Sequence, residues 1–534
     1  MGSGNTISPF YDSLLVKVIC KASSFGASVQ KMQRALYEFH VRGVKTNIPF
    51  LENVFHHPEF LAGEATTSFI EANPELFDFG SAGTQESHKV LTYLAEMIVN
   101  GPNHPGAIGP PPSKITPLTP EIPRNADPNI APAGWRNVLL ERGPEGWAAA
   151  VREHRESRGV LLTDTSMRDA HQSLIATRMR THDMLKAAPA TAHILQNAGS
   201  LEMWGGATFD VALRFLHECP WKRLELLREK IPNIPFQMLL RGANAVGYTT
   251  YADNVVNEFV LEARRAGVDI FRVFDSLNDI DQLKFGMDAV RAADGVIEGT
   301  ICYTGDVTNP AGTKYTLDYY LNLADQLVAH GTHALAIKDM AGLLKPRAAT
   351  LLIGALRERF PDVPIHVHTH DTAGTAVATQ LAAAAAGADI VDCCIDSMSG
   401  TTSQPSMGAI VHSLHGTELD TGINPESLLP LIDYWDGTMQ LYSPFMSTLR
   451  SPSSEVYYHE MPGGQYTNLK FQAQSLGLGS EWNKVKNAYA AANRALGDIV
   501  KVTPSSKVVG DLAQFMVQNE LREEDVLAGA ETLS

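Results

Sequence analysis

The sequence predicts an α/β protein: a closed (β/α)8 barrel of the TIM type, followed by a helical lobe and preceded by a short α+β and linker region. Three observations carry this. From Gly159 onward, short apolar runs alternate with amphipathic helical stretches, and such alternation builds a parallel sheet with strands buried on both faces. About eight βα units fit into residues 159–440, the number that closes a barrel. After about Met439 the alternation stops and helical periodicity alone continues. A doubly wound open sheet is the alternative arrangement of the same units.

The elements follow in order. An extended stretch is expected over Tyr11 to Cys20, then a helix over Ser28 to Val41 with Met32, Leu36, Phe39 and Val41 near one face, then Phe50 to Pro58. Alone this segment is too short to fold, and it reads as the end of a larger domain. The start, Met1-Gly2-Ser3-Gly4-Asn5-Thr6, formally matches a myristoylation pattern but reads as a cloning scar. Between Gly101 and Trp135 stand Pro102, Pro105, Pro110, Pro111, Pro112, Pro117, Pro120, Pro123, Pro128 and Pro132. Each fixes φ and removes a backbone donor, so this is an extended connector.

Strands are expected at Val160 to Leu162, Phe236 to Leu240, Asp269 to Phe274, Ile297 to Tyr303, Ala334 to Ile337, Ile365 to His368 and Asp389 to Cys394. Helices over Asn254 to Ala266, Leu317 to His330 and Arg347 to Arg359 fall between them. In the lobe, a Gly463-Gly464 turn precedes helices over Trp482 to Leu496 and Lys507 to Asn519.

Composition narrows the function classes. The chain has 534 residues, 44% hydrophobic and 19% charged, enough for two to four domains. A net charge of −16, from 43 Lys+Arg against 59 Asp+Glu, argues against nucleic acid as a partner. Cys20, Cys219, Cys302, Cys393 and Cys394 contain no CxxC pair and suggest a reducing compartment. The cytoplasm is the expectation, with the mitochondrial matrix as the alternative. The most apolar stretch, Ala376 to Cys394, is broken by Thr379, Gln380, Gly387, Asp389 and Asp392, short of the ~18 to 20 residues a membrane span needs. No GxxxxGK[ST] loop or GxGxxG fingerprint offers a site for ATP or a dinucleotide.

Barrel chemistry gathers at the C-terminal ends of strands. Asp169 follows the first strand, Lys338 ends the Ala334 to Ile337 strand, and His368 and His370 end the Ile365 strand. Residues two apart in a strand share a face, so the two histidines can bind one ion, with His366 one step deeper. Two hydrogen-bonded core histidines fit the same HxH pattern. Two imidazoles and one carboxylate leave a divalent ion short of ligands and charge. Lys338 completes the set if its amine, deprotonated by burial, adds CO2 to form a carbamate; the alternative is an unmodified lysine paired with Asp164 or Asp339.

The run Asp164-Thr165-Ser166-Met167-Arg168-Asp169-Ala170-His171-Gln172-Ser173, with Arg241-Gly242-Ala243-Asn244-Ala245-Val246-Gly247-Tyr248, Ile337-Lys338-Asp339-Met340-Ala341-Gly342 and His368-Thr369-His370-Asp371, resembles the carboxyltransferase domain of the pyruvate carboxylase family. The resemblance continues through Gln404-Pro405-Ser406, Pro462-Gly463-Gly464-Gln465-Tyr466 and Thr503-Pro504-Ser505-Ser506-Lys507. Upstream, Arg34-Ala35-Leu36 and Arg42-Gly43-Val44-Lys45-Thr46-Asn47 resemble the end of that family's biotin carboxylase domain, in a fungal-type eukaryotic form. This second match favours the family over oxaloacetate decarboxylase and transcarboxylase subunits, which share the barrel motifs.

With residues 1–6 read as a scar, the resemblance implies a domain plan: 7–62 a biotin carboxylase remnant, 63–158 a linker with part of an allosteric and tetramerisation region, 159–440 the barrel and 441–534 the lobe. It implies that Asp169, carboxylated Lys338, His368 and His370 hold zinc or manganese, and that Gln172, Arg241 and Arg168 bind pyruvate. Thr503 would carry a proton between the pyruvate methyl and biotin, while Asp210, Tyr248, Ser506 and Lys507 would shape the biotin pocket. Lys338, Arg241, Gln172 and Thr503 form the implied catalytic set. The implied reaction moves CO2 from carboxybiotin on a carrier domain to pyruvate, giving oxaloacetate through a stabilised enolate. No Met-Lys-Met biotinylation sequence occurs, so biotin would come from outside this chain, and ATP would serve only the biotin carboxylase half. Carboxyltransferase domains of the family pair as homodimers within a tetramer. Two competing readings are a metal-dependent aldolase-like or acyl-transferring barrel and a catalytically silent scaffold.

Overall fold

The computed structural model describes residues 14–39, 41, 44–79, 92–95, 117–124, 126–127, 130–446, 449 and 451–533. The suggested scar, Arg42 and Gly43 of the upstream motif and most of the proline-rich connector lie outside the described residues. The chain divides into two compact units, Met1–Lys114 and Ile115–Ser534.

In the first unit the described residues form helices Phe25–Glu38, Ile48–His56, Pro58–Leu61 and Phe69–Ala72, around a small core of Val54, Phe69 and Leu76. The first helix begins before the expected Ser28 because Ser24 caps it, its hydroxyl accepting from the Ala27 N–H at 3.2 Å. Residues 14–20 carry no regular secondary structure.

The second unit holds the barrel. Strands β1 Leu161–Asp164, β2 Ser200–Trp204, β3 Phe236–Leu240, β4 Ile270–Val273, β5 Val296–Cys302, β6 Ala334–Asp339, β7 Ile365–Thr369 and β8 Ile390–Cys393 pair in parallel, and β8 returns to β1 to close the ring. Seven strands lie on the expected runs. β2 does not, because its sequence Ser-Leu-Glu-Met-Trp puts polar residues where the others are apolar. They find partners inside the ring: Ser200 Oγ lies 2.8 Å from Thr163 Oγ1, and Glu202 forms an ion pair with Arg168. The periodicity of apolar residues cannot detect a strand whose inward face is polar instead.

The barrel interior is charged at its centre. Buried Arg272 of β4 pairs with Glu298 of β5 and, through Nη1, with Asp392 Oδ2 of β8 at 2.6 Å. His366 of β7 bridges the same two carboxylates, at 2.7 Å to Glu298 and 2.5 Å to Asp392. Burial works against protonation of His366, but Glu298 and Asp392 outweigh it and raise its pKa. His366 thus belongs to this layer.

The opposite mouth of the barrel is closed by helix Trp135–Ser157, which packs Leu139, Trp147, Ala148 and Val151 on Leu161, Ile270, Val296, Ala334 and Ile390 at the strand starts. This helix falls within the span expected as linker, residues 63–158. At the same end, buried Asp269 holds Arg136, Arg228 and Arg264 at 3.1, 2.7 and 3.0 Å, tying the helix and two barrel helices to β4. Charge at this face serves stability, since barrel chemistry sits at the other end.

The lobe contributes helices Gly463–Ser475, Trp482–Ala495, Ser505–Gln518 and Glu523–Leu533, with its own core that includes Met461, Leu469, Val485, Tyr489 and Val509. It is fastened over the C-terminal ends of the strands: Gly463 N–H donates to Met340 O at 3.1 Å, Ser453 N–H to Thr372 O at 2.8 Å, and Lys501 Nζ to Thr304 Oγ1 at 3.3 Å. Among the described residues no helix is long and apolar enough to cross a membrane.

Candidate active site

The site is assembled by the loops that leave the strands. After β1 the chain makes a single π-helical turn, Ser166–Ala170, a wide turn often found at functional positions. Asp164 anchors it, accepting from the Ser166 N–H at 3.0 Å and the Ser166 hydroxyl at 2.6 Å. The turn aims Asp169 inward at β7.

Among the described residues, Asp169, His368 and His370 form a cluster whose ligand atoms all lie within 4.8 Å of one another, each side chain buried. Asp169 Oδ2 is 3.4 Å from His368 Nε2 and 3.3 Å from His370 Nε2. The far nitrogens are fixed from behind: His368 Nδ1 meets Asp392 Oδ2 at 2.6 Å, and His370 Nδ1 meets Thr402 O at 2.6 Å. Such backing orients ligand imidazoles and selects the tautomer that leaves Nε2 free.

Electrostatics agree with ligand duty. Burial opposes ionisation of Asp169, yet Arg168 and the two histidines hold its carboxyl well below the usual range. Burial, reinforced by Lys338, pushes His368 well below the ordinary imidazole value and keeps it neutral. His368 Nε2 is buried and has no hydrogen-bond partner among the described residues. An unsatisfied buried nitrogen is costly unless something fills its lone pair, and two imidazoles with one carboxylate suit a borderline divalent ion.

Lys338, near the end of β6, stands in register beside His368 on β7 and Cys302 on β5. Burial lowers its pKa, with Asp169 working in the opposite direction. The two aspartates expected as partners are engaged elsewhere. Asp164 takes Ser166, and Asp339 accepts from the N–H groups of Gly342, Leu343 and Leu344 and from the Thr369 hydroxyl.

Arg168 and Gln172 lie beside this cluster, and Arg241 lies near Arg168. Arg168 Nη1 is 3.1 Å from Asp169 Oδ1 and donates to Gln172 Oε1 at 3.3 Å. Arg241, just after β3, donates to Gly247 O at 2.9 Å and lies with its guanidinium 5.3 Å from the Tyr248 ring centre. A Cβ on Gly206 would stand 2.5 Å from Arg241 Nη1, so only glycine allows the guanidinium to rest there. Arg168 is close enough to Arg241 to add to burial in lowering the latter's pKa.

The remaining expected residues are dispersed. Asp210, on helix Gly206–Val211, pairs with Arg214 at 2.6 Å. Tyr248 is half exposed. Thr503 is partly buried, Ser506 buried and Lys507 exposed at the start of helix Ser505–Gln518. That turn is tied to the barrel by Ser505 Oγ, which donates to Ser276 O at 3.4 Å.

Several residues of the site were given no role by the sequence. Gln404 Nε2 donates to Asp169 Oδ2 at 2.8 Å while its Oε1 accepts from Thr165 Oγ1 at 2.9 Å. Asp392 backs His368, and Glu202 holds Arg168. For Asp392, Glu298 and Arg272 a signal existed: a charged residue in the middle of a strand that must be buried on both faces; Glu202 lies in the strand the apolar pattern did not reveal. Gln404 and Thr402 lie in a loop and carry no such mark.

Gly463 brings the lobe onto the cluster. A Cβ there would meet Thr402 O at 2.6 Å and His370 Nδ1 at 3.1 Å. Gly463→Ala is therefore expected to disturb the hydrogen bond that orients His370 and to weaken divalent-metal retention about tenfold or more, measured as bound metal after graded chelator treatment. Retention equal to wild type would mean that His370 is held independently of the lobe.

Comparison with known proteins agrees with this architecture. Family models match residues 1–72 (biotin carboxylase C-terminal domain), 260–433 (HMGL-like) and 456–534 (conserved carboxylase domain). The chain is 57% identical over 533 residues to the mitochondrial pyruvate carboxylase of Rattus norvegicus, covering 99% of this chain and 45% of that protein. It is 55% identical to pyruvate carboxylase of Aspergillus niger, covering 99% of this chain and 44% of that protein; these values do not set fungal relatives apart. The chain thus spans just under half the length of the curated relatives it matches. The solved carboxyl transferase domain of Rhizobium etli pyruvate carboxylase with pyruvate superposes with a TM-score of 0.75 at 52% identity, over 83% of this chain and 74% of that one. With three quarters of that solved domain matched at this identity, the chain belongs to the pyruvate carboxylase family.

Proposed function

We propose that this chain carries out the carboxyltransferase half-reaction of a biotin-dependent pyruvate carboxylase, moving CO2 from carboxybiotin to pyruvate to form oxaloacetate. The observation that carries it is the buried Asp169, His368 and His370 cluster, with buried Lys338 in register beside it and the Arg168 guanidinium on Asp169. The related Rhizobium etli domain was solved with pyruvate.

Asp169, His368, His370 and Lys338 would hold the divalent ion, zinc or manganese. Bound there, it would supply Lewis-acid stabilisation of the enolate oxygen. Lys338 joins the ligand set as a carbamate: its neutral amine adds to CO2, a C–N bond forms, and one proton leaves to solvent. Arg168, Gln172 and Arg241 orient the keto acid, the guanidinium groups taking its carboxylate and the charge that develops on the keto oxygen. Carboxybiotin releases CO2 as its N–C bond breaks, the Thr503 hydroxyl gives the freed ring nitrogen a proton and takes one from the pyruvate methyl, and the resulting enolate captures the CO2 through its methylene carbon. Asp210, Tyr248, Ser506 and Lys507 provide donors and acceptors for the biotin urea group. The lobe covers the mouth and limits water there.

The partners that follow are a biotin carrier domain and a second carboxyltransferase copy, as a dimer and within a tetramer in the longer protein. Five free cysteines fit a reducing compartment, cytosol or mitochondrial matrix, and the rat relative's name places that protein in mitochondria. Residues 7–62 act as the close of a biotin carboxylase domain and 63–158 include the allosteric linker.

The test is the reverse half-reaction. Purified protein is expected to release pyruvate from oxaloacetate, with turnover stimulated by free biotin. Metal-bound protein indifferent to biotin would instead support an aldolase-like barrel.

A further inference from the structure

Glu202 stands at the centre of β2, fully buried in the barrel. Its Oε2 lies 2.6 Å from Arg168 Nη2. On its other side the same guanidinium meets Asp169 Oδ1 at 3.1 Å and Gln172 Oε1 at 3.3 Å. The Arg168 side chain is only 3% exposed, and its stem lies against Gly205, where a Cβ would stand 3.3 Å from Arg168 Cδ.

Stability alone gives no reason for this pair, since a buried ion pair is often matched or exceeded by apolar residues of the same volume. Position does. Without Glu202 the charged partner left to Arg168 is Asp169, and in a low-dielectric interior the guanidinium would be drawn onto that carboxylate, away from Gln172. With Glu202 holding Nη2, the fork is turned so that Nη1 lies between Asp169 and Gln172, and neither group takes the whole positive charge. Burial pushes the Glu202 carboxyl up, and Arg168 opposes the shift.

We infer that Glu202 is a positioning residue for keto-acid recognition: it does not touch the substrate, but by anchoring Arg168 it sets the affinity of the site for the substrate carboxylate. This rests on the carboxyltransferase reading above and adds to it a residue on a different strand.

The experiment compares wild type, Glu202→Gln, Glu202→Asp, Arg168→Gln and the Glu202→Gln/Arg168→Gln double variant. Four readouts are taken: oxamate binding by calorimetry, bound metal, and the KM and kcat of biotin-stimulated oxaloacetate decarboxylation. Glu202→Gln is expected to weaken oxamate binding and raise KM about tenfold or more, with a smaller change in kcat and unchanged metal content. On the Arg168→Gln background it is expected to add nothing further. Folded, metal-replete Glu202→Gln with wild-type oxamate affinity would overturn the inference, as would loss of metal or an equal loss of affinity on both backgrounds. If Glu202→Gln fails to fold, Glu202→Asp, which keeps the charge but shortens the reach, decides by the same readouts. Wild-type protein that does not bind oxamate would defeat the keto-acid reading together with this inference, whereas equal binding by wild type and variant defeats this inference alone.

Discussion

Lys338→Ala and Thr503→Ala are each expected to lower biotin-stimulated pyruvate release from oxaloacetate by roughly 10³-fold or more, but for different reasons that a second measurement separates. Lys338 is buried beside His368 with its amine shifted toward the neutral form, so its removal takes a ligand from the ion, and bound metal should fall with activity. Thr503 belongs to the lobe turn above the barrel mouth. Removing its hydroxyl should leave bound metal intact while abolishing proton transfer, a step for which a positioned acid–base group contributes about 10² to 10⁴. A Lys338→Ala protein that keeps both metal and turnover would refute the carbamate. In wild type the carbamate should be visible as a carbonyl resonance after equilibration with ¹³C-bicarbonate, absent from the variant. Thr503→Ala with full biotin response would move proton transfer to another group.

Asp392→Ala is expected to lower stability by about 3 to 5 kcal/mol, the cost of removing one partner from a buried charge network. Asp392 is fully buried and serves three groups, Arg272, His366 and His368. Its loss leaves Arg272 and His366 sharing Glu298 alone, and leaves His368 Nδ1 without its carboxylate. Chemical denaturation should therefore show a lower midpoint, and the metal-binding isotherm an affinity reduced about 10- to 100-fold. Both effects are expected together because one carboxylate joins the structural layer to the ligand layer. A variant with weakened metal binding but unchanged stability would show that the Arg272 network does not depend on Asp392.

The three variants probe different depths of one design. Three layers stack along the barrel axis toward the lobe. Asp269 and its arginines brace the closed end, Arg272, Glu298, His366 and Asp392 fill the middle, and Asp169, His368 and His370 face the open mouth. The middle layer is joined to the mouth through Asp392, and the chain of contacts from Arg272 through Asp392 to His368 makes the geometry at the mouth depend on packing below it.

From the residues alone, the barrel, the order of seven of its strands and the Asp169, His368 and His370 cluster were all legible. These follow from short-range regularities: apolar runs with period two or 3.6, and chemistry-bearing residues at strand ends, where backbone direction determines which side chains share a face. The tertiary structure alone decided the rest. β2 was hidden because Ser200 and Glu202 find partners on neighbouring strands, so its burial rests on hydrogen bonds and an ion pair and leaves no apolar run to read. Helix Trp135–Ser157 follows a proline-rich stretch and belongs to the barrel because its apolar residues meet five strand starts far apart in the chain. The roles of Gln404, Asp392 and Glu202 depend on closure of the ring, which brings β1, β2, β7 and β8 around one axis. A strand pattern determines which residues point inward, whereas only the closed barrel determines which inward-pointing residues meet.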